Sequence, residues 1–410
     1  MKILQVNCHY NYGSTGKIMY DISKYLNGIG VCSIMCYSRG AKVNVPGVYR
    51  IANEFISKIG KLFNIFYGRP LSWGTYATNN LIKVIEKEKP DIVHLHCINA
   101  YTMNVYKALE YLKKKQIATI LTLHAEFMHT GGCPYAYECE QWKNEHGCKK
   151  CPPSRSTFIG AKKCQTNWIQ MLDSFKGFNK NKLVIASVSP WLMNRARVSP
   201  ILSSYHHDVV LNGIDTSVFR IYNCEEINRV KEKYGLNSSN IILHVTSDFN
   251  ARIKGGKYLL DFDEELRKIT EKDYHILVVG PSFGQKSTNR LRFIGVVKDQ
   301  KELAVLYSLS DMTVLTSEKE TFSMICAESL CCGTPIIGFK AGAPETISIP
   351  TYSNFCEFAD TGSLARNAMD VWNKNYPKRE ISDAATAVYS LQKMGERYYA
   401  LYNNLMKSNE

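Results

Sequence analysis

The sequence lacks any run of apolar residues that approaches the roughly 18 needed to cross a membrane. Its first apolar segment, Ile3–Val6, reads as a short strand and has no apolar core of about 7 to 15 residues such as a secretion signal contains. Repeats and low-complexity tracts are missing as well. With 45% hydrophobic and 21% charged residues, the composition predicts an ordinary globular protein.

Acidic residues are in deficit. The chain has 37 Asp and Glu against 51 Lys and Arg, which gives a net charge of +14. Such a balance favours anionic partners, because the summed field of the protein attracts negative charge. Nucleic acid, anionic lipid, and nucleotide or lipid diphosphates all fit this description.

The 14 cysteines do not follow the pattern of a disulfide framework. Cys331 and Cys332 are adjacent, and Cys8, Cys36 and Cys326 lie inside apolar segments, as is typical of free buried thiols. Free thiols persist in a reducing cytosol. Cysteine usage therefore predicts a cytoplasmic protein.

The chain of 410 residues is too long for one ordinary core, so we expect two domains of about 200 residues each. Apolar strand patterns alternate with helical patterns in both halves, which predicts parallel βαβ units and an α/β fold with two doubly wound domains. The predicted strands are Ile3–Cys8, Val31–Tyr37, Ile92–Cys97, Ile117–His124, Leu183–Ser189, Ile241–Thr246, Ile276–Gly280, Arg292–Val296, Met312–Thr316 and Ile336–Phe339.

Two glutamates stand around the start of a predicted helix. The strand pattern Met312–Thr316 leads into a polar turn, and an apolar-periodic segment then runs from Phe322 to Cys332. Glu320 falls on the turn, and Glu328 falls about two turns into the helix. Free N–H groups near Thr321–Met324 favour a diphosphate, and carboxylates bind sugar hydroxyls well. The arrangement suits a nucleotide sugar.

The chain continues with Gly-Thr-Pro at 333–335, the predicted strand Ile336–Phe339, and Ala-Gly-Ala-Pro-Glu at 341–345. Together with the strand, acidic turn and helix before them, these motifs resemble the C-terminal signature of retaining GT-B glycosyltransferases. The resemblance covers nearly the whole chain and is most specific between residues 240 and 347. It implies two Rossmann-like domains that face each other across a cleft, and transfer of a sugar with its anomeric configuration kept.

The resemblance also implies roles for residues that bind the donor. Glu320 would hold the transferred sugar, Glu328 the ribose, and the segment of Thr321, Phe322, Ser323 and Met324 the diphosphate. In related enzymes an arginine and a lysine neutralise this diphosphate in place of a catalytic metal, and the matching lysine is Lys254. Phe249 occupies the usual arginine position, so we assign that role to Arg252, which departs from the family spacing.

A glycine loop, Asn11–Lys17, follows the first predicted strand. It is not a P-loop, since the required glycine and Ser or Thr are replaced by Asn11 and Ile18. It resembles the loop of GT-B enzymes in which Gly13 and Gly16 let the backbone approach the donor phosphates. A plain helix-entry turn is the alternative.

Histidines end two predicted strands, where doubly wound sheets gather ligands. His124 matches the family position that faces the transferred sugar, so we expect it to contact the sugar or the acceptor. His96 is the second candidate. His94 is expected to pack inward, because side chains alternate along a strand.

Four cysteines are spaced C-x5-C-x8-C-x2-C within nineteen residues: Cys133, Cys139, Cys148 and Cys151. Clustered thiols in a cytosolic protein suggest a structural zinc, with free thiols or a disulfide as alternatives. His129 and Cys164 are spare ligands. With Thr130–Pro134 and Ser189–Trp191, this insertion over about 129–165 resembles a bacterial subgroup that includes colanic-acid and capsule-building enzymes.

An amphipathic segment recurs at helical spacing in the first half, with lysines and an arginine nearby: Phe55, Ile59, Leu62, Phe63 and Phe66, beside Lys58, Lys61 and Arg69. It either packs on its own domain or contacts an anionic membrane at the inner face, where a lipid-linked acceptor would be found.

The resemblance places residues 1–210 in an acceptor-side domain and 215–380 in a nucleotide-sugar domain, with a terminal helix in 381–410 that returns to the first domain. The expected donor carries UDP, GDP or dTDP, and the acceptor is a saccharide, free or lipid-linked. A nucleotide-sugar 2-epimerase shares this architecture. A zinc-containing nucleic-acid binder would explain the charge but would not need Glu320 and Glu328, so we expect no nucleic acid.

Overall fold

The structure is a computed structural model that describes residues 1–99, 101–151, 162–236 and 240–407. The chain forms two compact units. The first contains Met1–Leu211 together with Met394–Glu410, and the second contains Asn212–Lys393. Residues 152–161 of the cysteine-rich insertion lie outside the described part.

In the described part of the first unit, seven parallel strands form one sheet in the order β3-β2-β1-β4-β5-β6-β7. They are β1 (Lys2–His9), β2 (Cys32–Arg39), β3 (Val48–Arg50), β4 (Ile92–Leu95), β5 (Ala118–Leu123), β6 (Leu183–Ser187) and β7 (His206–Val209). All residues of β4, β5 and β6 are buried, as expected for parallel strands covered on both faces.

The described helices in residues 1–211 of this unit are α1 (Gly13–Gly28), α2 (Glu54–Tyr67), α3 (Thr75–Glu88), α4 (Val105–Lys114), α5 (Phe127–Thr130), α6 (Cys164–Phe175) and α7 (Pro190–Arg197). Several begin where the sequence supplies an N-cap. Asn53, Asn104 and Ser189 each accept a hydrogen bond from a main-chain N–H of the first turn.

The second unit repeats the same topology. In its described residues, six parallel strands follow the order β10-β9-β8-β11-β12-β13. They are β8 (Asn240–Val245), β9 (Tyr274–Val279), β10 (Leu291–Gly295), β11 (Met312–Leu315), β12 (Ile336–Phe339) and β13 (Ser353–Cys356). Its helices are α8 (Cys224–Tyr234), α9 (Gly256–Ile269), α10 (Gln300–Leu309), α11 (Met324–Cys331), α12 (Pro344–Ile347), α13 (Thr361–Lys374) and α14 (Lys378–Tyr389).

Apolar side chains from one face of this second sheet form a core with the helices that cover that face. Ile242, Val278 and Val314 project from the strands, and Leu259 and Leu364 meet them from α9 and α13. Both sheets are doubly wound and Rossmann-like, so the predicted fold class is confirmed. The order of strands reverses between β1 and β4 in one unit and between β8 and β11 in the other. Ligands of such folds bind at the carboxyl ends of these strands.

The terminal segment differs from the single helix expected within 381–410. It contains two helices, α14 and α15 (Leu391–Lys407), because Ser390 has an extended ψ of 149° that cannot continue a helix. The α15 helix packs within the first unit, where a Cβ at Gly395 would overlap the Tyr25 ring. In the described part of the chain, we find no helix with both the length and the apolar character of a membrane span.

Candidate functional site

Lys254 and Glu320, which the sequence places in one site, are in direct contact. Lys254 Nζ lies 2.7 Å from Glu320 Oε1, and the two side chains are 23% and 12% exposed. Lys254 ends the loop after β8, and Glu320 lies on the loop after β11, so both stand at the switch point of the second sheet. A largely buried ion pair at this edge is the centre of the candidate donor site.

A glycine pair lets the Lys254 loop pack against the end of β11. Gly255 has a φ of 65°, and a Cβ there would overlap the Thr316 carbonyl. A Cβ at Gly256 would overlap the Phe249 carbonyl. The Thr316 hydroxyl in turn donates to the Lys254 carbonyl at 2.9 Å. These contacts fix the backbone that carries Lys254.

Glu320 is held by the loop that follows β12. Its N–H donates to the Ala341 carbonyl at 2.9 Å, and its carbonyl accepts from the Ala343 N–H at 3.2 Å. Glu345 accepts hydrogen bonds from the main-chain N–H groups of Ala341 and Gly342. Glu345 therefore holds this loop, a role that its motif in the sequence does not predict.

Phe249 and Arg252 show how this chain departs from the usual spacing. Phe249 is 3% exposed and belongs to the core of the second unit, so its position supplies no charge. The Arg252 side chain is 89% exposed, and its Nε lies 3.7 Å from Glu318 Oε2. Arg252 lines a cavity of about 570 Å³ together with Asn250, Lys257 and Glu318, and neither Lys254 nor Glu320 lines it.

The α11 helix starts at Met324, two residues later than predicted. Ser323 precedes it with φ 81° and ψ 90°, a conformation that cannot belong to a helix. Thr321 and Phe322 therefore lie on the loop, and the free N–H groups are those of the turn that begins at Met324. The buried Ser323 hydroxyl approaches the Cys326 thiol but has no hydrogen bond of standard geometry among the described residues.

Glu328 lies in the second turn of α11 and is partly buried. The fully buried Tyr307 donates a hydrogen bond to Glu328 Oε2 at 3.1 Å. Burial raises the pKa of Glu328 to about 7, although the hydrogen bond from Tyr307 opposes the rise. Tyr307 therefore holds the Glu328 carboxylate, a contact that no motif in the sequence predicts.

In the first unit, Gly13 and Gly16 differ in their surroundings. Gly13 is exposed at the start of α1 with a φ of 66°, and a Cβ there would meet no atom within 4 Å. Gly16 is buried, and a Cβ there would lie 3.0 Å from the His9 carbonyl oxygen. Gly16 therefore allows α1 to pack closely on the end of β1.

The three strand-end histidines make two separate sets of contacts: His94 and His96 are buried, and His124 is partly exposed. His94 packs inward, as expected, and bonds to Tyr402 and Thr122 at 2.7 Å each. His96 lies between Gln5 and His124. Burial lowers the pKa of His124 to about 4, so its ring is neutral near pH 7.

The five cysteines of the insertion line one cavity of about 300 Å³: Cys133, Cys139, Cys148, Cys151 and Cys164. A hydrogen bond with the Cys151 thiol, together with burial, raises the pKa of Cys133. Within the described ranges, however, no three His, Cys, Asp or Glu side chains are grouped so that they could hold a metal ion. The zinc site stays a prediction.

His129, expected as a spare ligand, does not line this cavity. Its Nε2 lies 3.5 Å from Glu126 Oε1, and both side chains are fully buried. Glu126 also lies 2.5 Å from Arg195 Nε and accepts from the Ala136 N–H at 2.7 Å. The Glu126–Arg195 ion pair and the hydrogen bond from Ala136 together connect the insertion to α7. The sequence did not predict this ion pair.

The α2 helix buries its small residues and exposes its large apolar ones. Ser57 and Gly60 face inward, and a Cβ at Gly60 would overlap the Tyr101 carbonyl. Phe55 and Phe66, on the opposite side of the helix, are 68% and 61% exposed. Leu62, Ile65 and Tyr67 are exposed as well. Ile59 and Phe63 are half-buried, and the Phe63 ring centroid lies 5.1 Å from that of Trp73, so the apolar face packs on its own domain only in part.

Comparison with known proteins decides the class of the second unit. Residues 239–373 match the family described as Glycosyl transferases group 1. The chain carries a glycosyl transferase group 1 domain. Among curated proteins, it is 24% identical to N-acetyl-alpha-D-glucosaminyl L-malate synthase of Bacillus anthracis, over 99% of this chain and 97% of that protein. It is 22% identical to the putative colanic acid biosynthesis glycosyl transferase WcaC of Escherichia coli, over 99% and 100%.

Solved structures share the fold of the whole chain. A glycosyltransferase from Rickettsia africae superposes with a TM-score of 0.67 at 17% identity and covers 99% of this chain and 98% of its own. Anabaena HepE in complex with UDP-glucose has a TM-score of 0.62 at 14% identity and covers 98% and 99%. The predicted GT-B fold is confirmed.

Proposed function

We propose that this protein is a retaining glycosyltransferase that moves a sugar from a nucleotide diphosphate donor to a hydroxyl of a saccharide acceptor, in the synthesis of a surface polysaccharide or another glycan. The Lys254–Glu320 ion pair carries the proposal. It stands at the sheet edge where doubly wound folds bind ligands, inside the matched family domain. Lysine beside a sugar-binding carboxylate suits a leaving diphosphate.

Each donor-site residue has a separate task in this proposal. Lys254 and the N–H groups at the start of α11 stabilise the diphosphate as it leaves the anomeric carbon. Glu320 binds the sugar hydroxyls and Glu328 the ribose. His124 contacts the sugar or the acceptor, because it matches the family position that faces the transferred sugar. Gly13 lies on the loop that approaches the phosphates. No side chain is assigned as nucleophile, since the donor phosphate takes the acceptor proton on the same face.

A panel of UDP, GDP and dTDP sugars in a thermal-shift assay tests the donor. HepE has been solved with UDP-glucose, and the Bacillus anthracis relative is named for an N-acetylglucosaminyl product, so UDP-glucose and UDP-N-acetylglucosamine come first. At 100 times its Kd, a true donor stabilises the protein by about 2.7 kcal/mol. The proposal fails if no sugar nucleotide raises the Tm.

Product analysis separates transfer from epimerisation. With donor and a saccharide acceptor, we expect a glycoside whose anomeric configuration matches the donor's. A 2-epimerase would convert the donor when the acceptor is left out. An inverted product would disprove retention while leaving sugar transfer intact.

We also propose that α2 contacts an anionic membrane, where a lipid-linked acceptor would lie. Its exposed apolar side chains have no partner in the described chain that buries them, and exposed Lys58 and Lys61 flank them. Apolar and aromatic side chains beside lysines match the boundary between anionic headgroups and acyl chains. Each lysine near such a surface contributes about 1 kcal/mol.

Sedimentation with vesicles tests this contact. The protein should bind phosphatidylglycerol vesicles and not phosphatidylcholine vesicles, and Leu62→Glu with Phe66→Glu should abolish binding. Tyr76→Glu, at a 63% exposed position on α3, is the matched control and should bind normally. Equal binding to neutral vesicles would overturn the proposal. It would also be overturned if the wild type formed a dimer that the Leu62→Glu, Phe66→Glu variant did not form, because α2 would then contact a second copy of the chain.

A further inference from the structure

Two cysteines meet at the carboxyl edge of the first sheet, where the order of strands reverses between β1 and β4. Cys8 lies near the end of β1, and Cys97 lies two residues after β4. The strands run parallel, with Val6 opposite Leu95. Continued by two residues, the same register brings Cys8 opposite Cys97 on one face of the sheet. Neighbouring strands are about 4.8 Å apart, which lies within the Cα separation of about 4.4–6.8 Å that a disulfide needs.

Two hydrogen bonds hold the segment after β4 against β1. The His96 N–H donates to the Val6 carbonyl at 2.9 Å. The Cys97 N–H donates to Asn7 Oδ1 at 3.1 Å. In this arrangement the Cys8 and Cys97 thiols share a hydrogen bond. Cys8 is 8% exposed and Cys97 is half-buried, so a small reagent can reach the pair from the side of Cys97.

The contact between the thiols makes one of them more acidic than the other. The hydrogen bond with Cys97 lowers the pKa of Cys8, although burial opposes it. The Thr15 hydroxyl and the Arg39 charge lower the pKa further. The same hydrogen bond, together with burial, raises the pKa of Cys97 well above its usual value. The thiolate is the reactive form of a cysteine, so the nucleophile of this pair is Cys8.

We propose that Cys8 and Cys97 form a site of reversible oxidation by hydrogen peroxide, in which the two thiols join as a disulfide. The Cys8 thiolate attacks one peroxide oxygen, so that the O–O bond breaks, hydroxide leaves and Cys8 becomes a sulfenic acid. The Cys97 sulfur then attacks the Cys8 sulfur, and the S–O bond breaks as water leaves. In the balance, two thiols give up two electrons and two protons, and one peroxide becomes two waters.

The disulfide would connect the end of β1 to the segment that follows His96. The glycine loop Asn11–Lys17 begins three residues after Cys8. Under the proposed function this loop approaches the donor phosphates, so oxidation should weaken donor binding, and this consequence rests on that function. The oxidation itself rests only on the two thiols. Transient, redox-sensing disulfides are the kind that cytosolic proteins form.

Peptide mapping tests the proposal without a substrate. Trypsin releases Cys8 in the peptide 3–17 and Cys97 in the peptide 88–107, and neither peptide contains another cysteine. After hydrogen peroxide treatment of the folded protein and alkylation of the remaining thiols, we expect these two peptides to be joined, and dithiothreitol should separate them. The proposal is overturned if both thiols stay free for alkylation, or if either is oxidised without joining the other.

Three comparisons show whether the fold brings the thiols together. Cys32→Ser removes an exposed thiol from β2 and should leave the yield of joined peptides unchanged. In Cys97→Ser, peroxide should leave Cys8 as a sulfenic acid that reacts with dimedone. In urea, where the strands separate, the yield should fall. An equal yield in urea, or a disulfide that joins two chains, would overturn the proposal. Joined peptides with unchanged donor binding would support the site and count only against the role of the glycine loop in the proposed function.

Discussion

Replacing Ser323 with glycine is expected to make the second unit more stable and its donor affinity weaker. Ser323 has φ 81° and ψ 90°, where a residue other than glycine is strained by about 1–3 kcal/mol. Glycine adopts this conformation freely but loses about 0.5–1 kcal/mol more conformational entropy on folding. The net gain is about 1 kcal/mol, which corresponds to a rise in Tm of about 2–4 °C for a unit of this length.

Loss of the Ser323 hydroxyl is the reason to expect weaker binding of the donor. It is buried before α11 and has no hydrogen bond of standard geometry in the described chain. If it donates to the diphosphate, that bond to a charged group is worth about 1.5–3 kcal/mol, or roughly 10- to 150-fold in Kd. Ser323→Ala is the matched control, because it removes the hydroxyl and keeps the Cβ that causes the strain.

Calorimetry measures both the Tm and the Kd for the donor. Ser323→Gly should melt above Ser323→Ala, and both variants should bind the donor more weakly than the wild type to a similar extent. Equal Tm values for the two variants would refute the argument from strain. Wild-type donor affinity in Ser323→Ala would refute the contact between the hydroxyl and the diphosphate.

Three further predictions follow from the candidate site and the cysteine cavity. The pKa of Glu328, about 7 when folded, lies above its ordinary value of 4.5, so the folded protein binds the extra proton and its stability falls as pH rises between these values, by up to about 3 kcal/mol. Glu328→Gln should flatten this dependence in urea unfolding at pH 5 and 8, and an unchanged slope would contradict it. Lys254→Ala should lower turnover about 10²-fold or more. Arg252→Ala should cost much less, because solvent screens its exposed charge, and an equal loss would give Arg252 the missing arginine's role. Metal analysis should find about one zinc per chain, and Cys148→Ser with Cys151→Ser should lose it while the exposed Cys224→Ser retains it. Normal folding of the metal-free double variant would count against a structural zinc.

Strand prediction succeeded where strands are buried on both faces. Ile336–Phe339 was predicted to the residue, and the strand from Ala118 to Leu123 within one residue at each end, because parallel strands inside a sheet read as continuous apolar runs. The edge strands Val48–Arg50, His206–Val209 and Ser353–Cys356 were missed. They are three or four residues long and only partly buried, so their sequences carry little pattern.

For the candidate site as well, the sequence predicted residues that belong to local motifs and missed contacts between distant residues. Glu320, Glu328 and Lys254 could be named from local motifs, since each lies in a strand–loop–helix segment with a recognisable order. The 2.7 Å contact between Lys254 and Glu320 joins residues 66 positions apart, so no local motif predicts it. Tyr307 contacts Glu328, and Glu345 holds the loop after β12. No local motif predicts either contact.

By itself the sequence determined the two doubly wound domains and the amphipathic pattern of α2, and it predicted the candidate donor-site residues, because each depends on residues close together in the chain. Tertiary structure alone decided that Ser57 and Gly60 turn inward and the large apolar residues outward, since only the Tyr101 backbone shows that the space beneath α2 admits no larger side chain. It also decided the partners of Lys254 and His96, because packing of the sheet brings distant loops together and local sequence does not encode those distances.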